Sequence, residues 1–140
     1  MSRQDTKLEA QGAEFLVLGN LLIEGIPAHK HYTNMRGYDI VATNPEKNKS
    51  ARIQVKSRWQ TSATGFLIKN FDCDFVVIVK LNRGSKDGKQ QKKDPAYFVI
   101  PSAKLETVKR TGGWGRIEFG KIPDFHLYLN SWDLIRKFLS

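Results

Sequence analysis

Apolar residues recur at helical spacing from Thr6 to Glu24, where Leu8, Phe15, Leu16, Gly19, Leu22 and Ile23 line up as one stripe. Thr6 followed three residues later by Glu9 fits a capping box, and Gly25 fits the left-handed residue that closes a helix. A helix is expected there, with its stripe turned to a core. Beyond it the apolar period shortens to two. Pro27 to Tyr32 reads as a short strand, Tyr38 to Thr43 as a second and Ser50 to Arg58 as a third. The turns between them carry Asn34-Met35-Arg36-Gly37 and Asn44-Pro45-Glu46-Lys47-Asn48.

Residues 59–71 support two readings, a loop from Thr61, Ser62, Thr64 and Gly65, or a strand from Gly65 to Ile68. Phe75 to Val79 is a β-branched run of the kind buried on both faces, and Tyr97 to Ile100 looks like its neighbour. Between them Asn82 to Pro95 is polar, carries Arg83, Lys86, Lys89, Lys92 and Lys93, and is long for a hairpin loop, so mobility is expected. Ser102 is placed to cap a helix running through Lys109, Thr111 to Gly115 to interrupt the chain, and Ser131 to cap a last helix from Trp132 to Leu139. Helix, three strands, a strand pair and further helices describe a mixed α/β domain around a central sheet. No repeat and no linker divides the 140 residues, so a single domain is expected.

Composition then narrows the partner. Twenty-three basic against 14 acidic residues leave a net charge of +9, which favours a polyanion, nucleic acid first. Cys73 is the only cysteine, which excludes an internal disulfide and points to a reducing, cytoplasmic setting. No apolar run is long enough to span a bilayer.

Candidate chemistry gathers on the second and third strands. Asp39 is followed, after fourteen residues, by Gln54-Val55-Lys56. Strand alternation puts Gln54 and Lys56 on one face and Ile53 and Val55 on the other. Oxygen ligands beside an ammonium group suit attack on a phosphodiester assisted by Mg²⁺ or Mn²⁺, since hard cations take oxygen donors and a neighbouring cation stabilises charge developing on phosphorus. The same alternation extends that face to Arg52 and Arg58, a basic row for phosphates or a solvated, aggregation-resistant strand. Trp59 is a base-stacking or packing residue. Lys86, Lys89, Lys92 and Lys93 are candidates for clamping a nucleic-acid backbone, as is Arg36 in the turn before Asp39. His29 and His31 have zinc-binding spacing, but two ligands without a completing pair favour a structural role, and His126 is isolated. Nucleophile elbow, P-loop and dinucleotide fingerprints are absent from the sequence.

Glu14 on the first helix, then Gly37-Tyr38-Asp39-Ile40-Val41, then Ile53-Gln54-Val55-Lys56, resembles the PD-(D/E)XK nuclease superfamily over residues 6–58. The segments Tyr97 to Ser102 and Tyr128 to Leu134 are similar to small bacterial members of that superfamily. The resemblance implies a restriction-endonuclease-like αβββαβ core and a Mg²⁺-dependent DNA endonuclease. It implies that Asp39, Gln54, the Val55 carbonyl and Glu14 hold the metal, and that Lys56 positions or activates water. It also implies DNA, duplex or branched, as partner and a homodimer, since many such nucleases cut two strands with two sites. Gln54 departs from the commoner Glu or Asp; it keeps a carbonyl oxygen but removes a negative charge, which weakens metal binding. Glutamine stands at this position in nucleases of the Mrr type as well. The alternative is an inactive nucleic-acid-binding module on the same fold.

Overall fold

The computed structural model describes residues 6–31, 37–110 and 115–140. The expected Arg36 contact, most of the break at 111–115 and the end of the first expected strand lie outside them. Helix α1 (Thr6–Ile23) leads into β1 (Ala28–Lys30), β2 (Ile40–Asn44) and β3 (Lys49–Arg58). Then come β4 (Gly65–Leu67), β5 (Phe75–Lys80), β6 (Ala96–Pro101), α2 (Ser102–Glu106), β7 (Arg116–Glu118) and α3 (Asp133–Leu139).

Five strands form the central sheet in the order β1-β2-β3-β5-β6. The tight turn at Pro45 to Lys47 makes β2 and β3 antiparallel: Asn44 caps it from its side chain, and Asn48 closes it in the left-handed region at φ 52°. β3 and β5 run parallel in the register Ile53↔Phe75 to Arg58↔Lys80, and β6 returns antiparallel to β5. β5 is the hub of the fold. Its residues Phe75 to Val79 are all buried, because the sheet is covered on both sides, as a continuous apolar run predicts.

Alternation along β5 divides the core. Phe75, Val77 and Val79 join Ile53 and Ile40 beneath α1 and α3, which contribute Ala13, Val17, Leu21, Ile135 and Leu139, with Trp132 just before α3. Val76 and Ile78 face a second layer built from Phe66, Ile68, Leu105, Ile117 and Phe119. The connection from β3 to the parallel β5 carries strand β4 rather than a helix, which decides between the two readings of residues 59–71. β4 pairs with β7 in a small second sheet, and Phe66 and Ile68 cover the central sheet in place of helical side chains.

Four sequence expectations are corrected. The core face of α1 is Ala13, Val17 and Leu21, while Leu8, Phe15, Leu16, Leu22 and Ile23 are exposed. Ala13, Val17 and Leu21 recur every four residues along the side of the helix packed on the sheet, and the stripe read from the sequence is left outside. Ser102 is the first residue of α2 and donates from its hydroxyl to the carbonyls of Cys73 and Asp74, so it ties α2 to β5 rather than capping, and the helix stops at Glu106. Ser131 likewise donates to the Leu127 carbonyl, and α3 starts after Trp132. Nor is 82–95 a free loop: Arg83 and Lys92 bridge, Lys93 N–H donates to Asn82, and the Asn82 amide donates to the Asp94 carbonyl.

Ile78 is fully buried where β5 meets the second layer. Ile78→Ala is expected to lower unfolding free energy by about 2–5 kcal/mol, read from urea denaturation followed by circular dichroism.

Candidate functional site

The last rung of the β2–β3 ladder is Ile40↔Ile53. One residue earlier the strands part, and Asp39 occupies the fork. Its N–H donates to the Ile53 carbonyl at 2.8 Å, while its carboxylate Oδ2 accepts the Val55 N–H at 2.8 Å. The side chain thereby takes the place of a ladder partner that the departing strand no longer offers. This bond sets a carboxylate against the backbone of the residue between Gln54 and Lys56.

Electrostatics tie the remaining groups to that fork. Burial raises the Asp39 carboxyl above its ordinary value, and the Val55 N–H, Lys56, Lys30 and His31 pull the other way. Burial also depresses the Lys56 ammonium, with Asp39 opposing. Glu14 reaches in from α1, paired to Lys30 at 3.4 Å, and its carboxyl is raised first by burial and next by the negative charge of Asp39. Two carboxylates that repel each other in a shielded place, with a lysine beside them, form an arrangement that a cation would relieve.

Gln54 is buried on the same side as Lys56. The Cys73 thiol lies 3.9 Å from its Oε1, directed to donate, and burial pushes that thiol up to about 11. The structure therefore brings Asp39, Val55, Lys56 and Glu14 into one electrostatic neighbourhood, with Gln54 on the adjoining strand position. Among the described residues no group of three or more His, Cys, Asp or Glu side chains could hold a metal ion. The oxygen donors present are two carboxylates, one amide and backbone carbonyls. That set matches Mg²⁺, which keeps several waters and binds through one or two carboxylates plus phosphate oxygens.

The expected basic row separates in its roles. Arg52 is engaged by Asp74, at 3.5 Å from its Nε, and its guanidinium lies 5.9 Å from the Tyr38 ring centroid. The Arg58 guanidinium donates to the Gly65 carbonyl and so fastens β4 to β3. Trp59 is partly exposed with Arg83 5.9 Å from its ring centroid, while Lys86, Lys89, Lys92 and Lys93 are exposed along the bridged 82–95 hairpin. That hairpin stands on the end of β3, since Thr61 N–H donates to Gly84 and Arg83 N–H to Trp59. Sequence reasoning missed Lys30, although the alternation that set His29 and His31 on one face of β1 set Lys30 on the other, toward α1. The His31 ring, read from the sequence as structural, is stacked on Tyr38 at 4.4 Å beside the fork.

A bacterial homing endonuclease, I-Ssp6803I, is similar in structure, with a TM-score of 0.63 at 18% identity over 96% of this chain and 95% of that one. The two share a fold. What they share is the mixed α/β architecture, a central five-stranded mixed sheet flanked by helices. No protein-family model and no curated protein matches the chain. Among the described residues no helix is long and apolar enough to cross a membrane.

The raised Asp39 carboxyl carries a stability consequence. The folded chain holds that proton more tightly than the unfolded chain, so its contribution is present in acid and is lost as pH rises through the folded value. Asp39→Asn keeps an oxygen acceptor for Val55 without the charge. The variant is expected to melt above the parent at about pH 7.5, with the gap closing as pH falls toward about 4. Thermal melts across that range check it, and a parent that melts higher at neutral pH would contradict it.

Proposed function

We propose that this protein is a divalent-metal-dependent DNA endonuclease of the PD-(D/E)XK type in its glutamine-bearing form. The observation that carries this reading is the fork. There the Asp39 carboxylate is fixed on the Val55 N–H, between Gln54 and Lys56, with Glu14 close enough to feel its charge. The endonuclease fold shared with a bacterial homing endonuclease supports the same reading from an independent direction.

In it Asp39 and Glu14 would hold Mg²⁺ or Mn²⁺, with the Gln54 amide oxygen and Val55 carbonyl as neutral donors. The ion supplies charge stabilisation at phosphorus and lowers the pKa of its water. Lys56, already partly desolvated, steers the scissile phosphate and balances the charge that grows in the transition state. Lys30, 3.4 Å from the Glu14 carboxylate, holds that side chain in place. The exposed lysines of the 82–95 hairpin, with Trp59 at its foot, serve as the surface that follows the DNA backbone. Arg52 and Arg58 are given structural roles, because their cations are engaged within the chain.

A second reading, a binding module without cleavage, is favoured by one feature. Gln54 brings no charge and its Oε1 is turned to the Cys73 thiol. Cleavage separates the two. With Mg²⁺ or Mn²⁺ the parent is expected to nick and linearise plasmid DNA, and Asp39→Ala and Lys56→Ala to lose about 100-fold or more in rate. Intact DNA in both metals, with retained binding, would establish the module instead.

Binding itself tests the hairpin. Neutralising Lys86, Lys89, Lys92 and Lys93 is expected to weaken DNA affinity and to reduce the slope of log affinity against log salt by about one per phosphate-contacting lysine. Fluorescence anisotropy over a salt series reads it, and an unchanged slope would remove the hairpin from the interface.

A further inference from the structure

A cleft of about 610 Å³ opens where β5 ends, and the residues of the fork take no part in it. That size falls in the range of clefts that hold a small organic ligand. Phe119, Ile122 and Phe125 make its wall. The two rings belong to a file, Phe98, Phe125, Phe119 and Phe66, with successive centroids 4.1, 5.1 and 5.9 Å apart and no neighbouring pair more than 24° from parallel. Phe119 and Ile122 are buried and Phe125 half-buried, so the second layer fixes this wall in advance of any ligand.

Polar groups then define what the wall fits. Lys80 reaches over it, with its ammonium 5.4 Å from the Phe119 ring centroid. No salt bridge among the described residues engages that lysine. Asp124 and His126 stand exposed at the mouth with a carboxylate and an imidazole. An apolar wall of rings, a cation without an ion-pair partner and hydrogen-bonding groups at the rim match the parts of a nucleotide. The base takes the wall, its polar edge takes the rim, and the phosphate takes Lys80.

Placement says which nucleotide. Lys56 pairs with Ile78 and Arg58 with Lys80 along the parallel ladder, so Lys56 and Lys80 lie on one face of the sheet, one strand and two residues apart. Strand spacing puts about 8 Å between their Cα atoms, a distance that a nucleic-acid strand covers in a nucleotide or two. The lysine-bearing 82–95 hairpin rises from the end of β5 beside the cleft. Thr61, three residues before Thr64 of the cleft, is bonded to that hairpin at the Gly84 and Gln91 carbonyls. The cleft therefore continues the surface assigned to the DNA backbone. Bases in an intact duplex show a protein only their groove edges, so a base enters such a cleft only when its nucleotide is unpaired.

We propose that this cleft holds one unpaired nucleotide of the bound DNA, its base against Phe119 and Phe125 and its phosphate on Lys80, so that the protein prefers unpaired strand to intact duplex. This rests on DNA as the partner in the reading above but not on cleavage, and it is tested by binding in EDTA. Gly120 lies on the cleft, and a Cβ there would meet nothing within 4 Å, so Gly120→Leu fills the space without disturbing the core. Lys80→Gln removes the cation. Fluorescence anisotropy compares a labelled oligothymidylate of about 12 nucleotides with a duplex of the same length at one salt concentration. The parent is expected to bind the single strand more tightly, and each folded variant to lose about tenfold on the single strand while its duplex affinity stays within about twofold. Independently of both substitutions, a 4-thiothymidine in the single strand is expected to photocrosslink to the cleft segment 119–126. A parent without preference for the single strand, folded variants that bind it as the parent does, or crosslinks confined to the hairpin overturn the proposal. Thymidine monophosphate that displaces the strand at equal concentration overturns it as well, since the cleft is then a site for free nucleotides. Plasmid left intact in Mg²⁺ and Mn²⁺ while the binding results hold removes the nuclease reading and leaves the cleft standing.

Discussion

The hydrogen bond from the Val55 N–H to the Asp39 carboxylate is the constraint on which the candidate site depends. Two strands that separate leave backbone donors without partners, and a buried unpaired N–H is costly. An acidic side chain at the point of separation resolves that cost and in the same stroke becomes fixed and oriented. The carboxylate therefore serves the fold through one oxygen, while its charge is held in a shielded place where Lys56, Lys30 and Glu14 all sense it. Architecture and candidate chemistry meet in a single residue.

That arrangement is held at some expense in electrostatic comfort. Burial raises both Asp39 and Glu14 and lowers Lys56, so each of the three charges is less favourable folded than free. A structure selected only for stability would replace such groups with apolar ones. Their persistence in one neighbourhood is the pattern expected where charge is kept for use. By contrast Arg52 and Arg58 spend their cations on Asp74 and the Gly65 carbonyl, which marks them as part of the frame.

Much of this was legible in the chain. β3 declares itself by alternation, β5 by its unbroken β-branched run, and the shared side of Gln54 and Lys56 follows from strand geometry. What misled was chemistry with two outlets. Every face of α1 has apolar residues, and volume alone points to Phe15 and Leu22 as core, whereas the sheet accepts Ala13, Val17 and Leu21. Ser102 and Ser131 have the composition of caps, but hydroxyls also donate, and here carbonyls of Cys73 and Leu127 claim them. Alternation along β1 sets Lys30 on the side toward α1, but its place beside Asp39 follows from the β1–β2 register Lys30↔Ile40, a pairing between segments that local pattern does not join. Likewise the strand in the crossover depends on β7, some fifty residues later.

That late partner has a temporal meaning. While the polypeptide is being made, the fork at Asp39 and the strand carrying Lys56 emerge early, but β4 has no neighbour until Arg116 to Glu118 has left the ribosome. The layer over β2 and β3 is finished only when Trp132, Ile135 and Leu139 arrive and Asn44 can reach the Leu139 carbonyl. Contacts so distant in sequence slow closure and make it cooperative. A nascent chain thus holds its charged fork on an unfinished scaffold until residues 116–139 have been made, and maturation of the site is timed by those late segments.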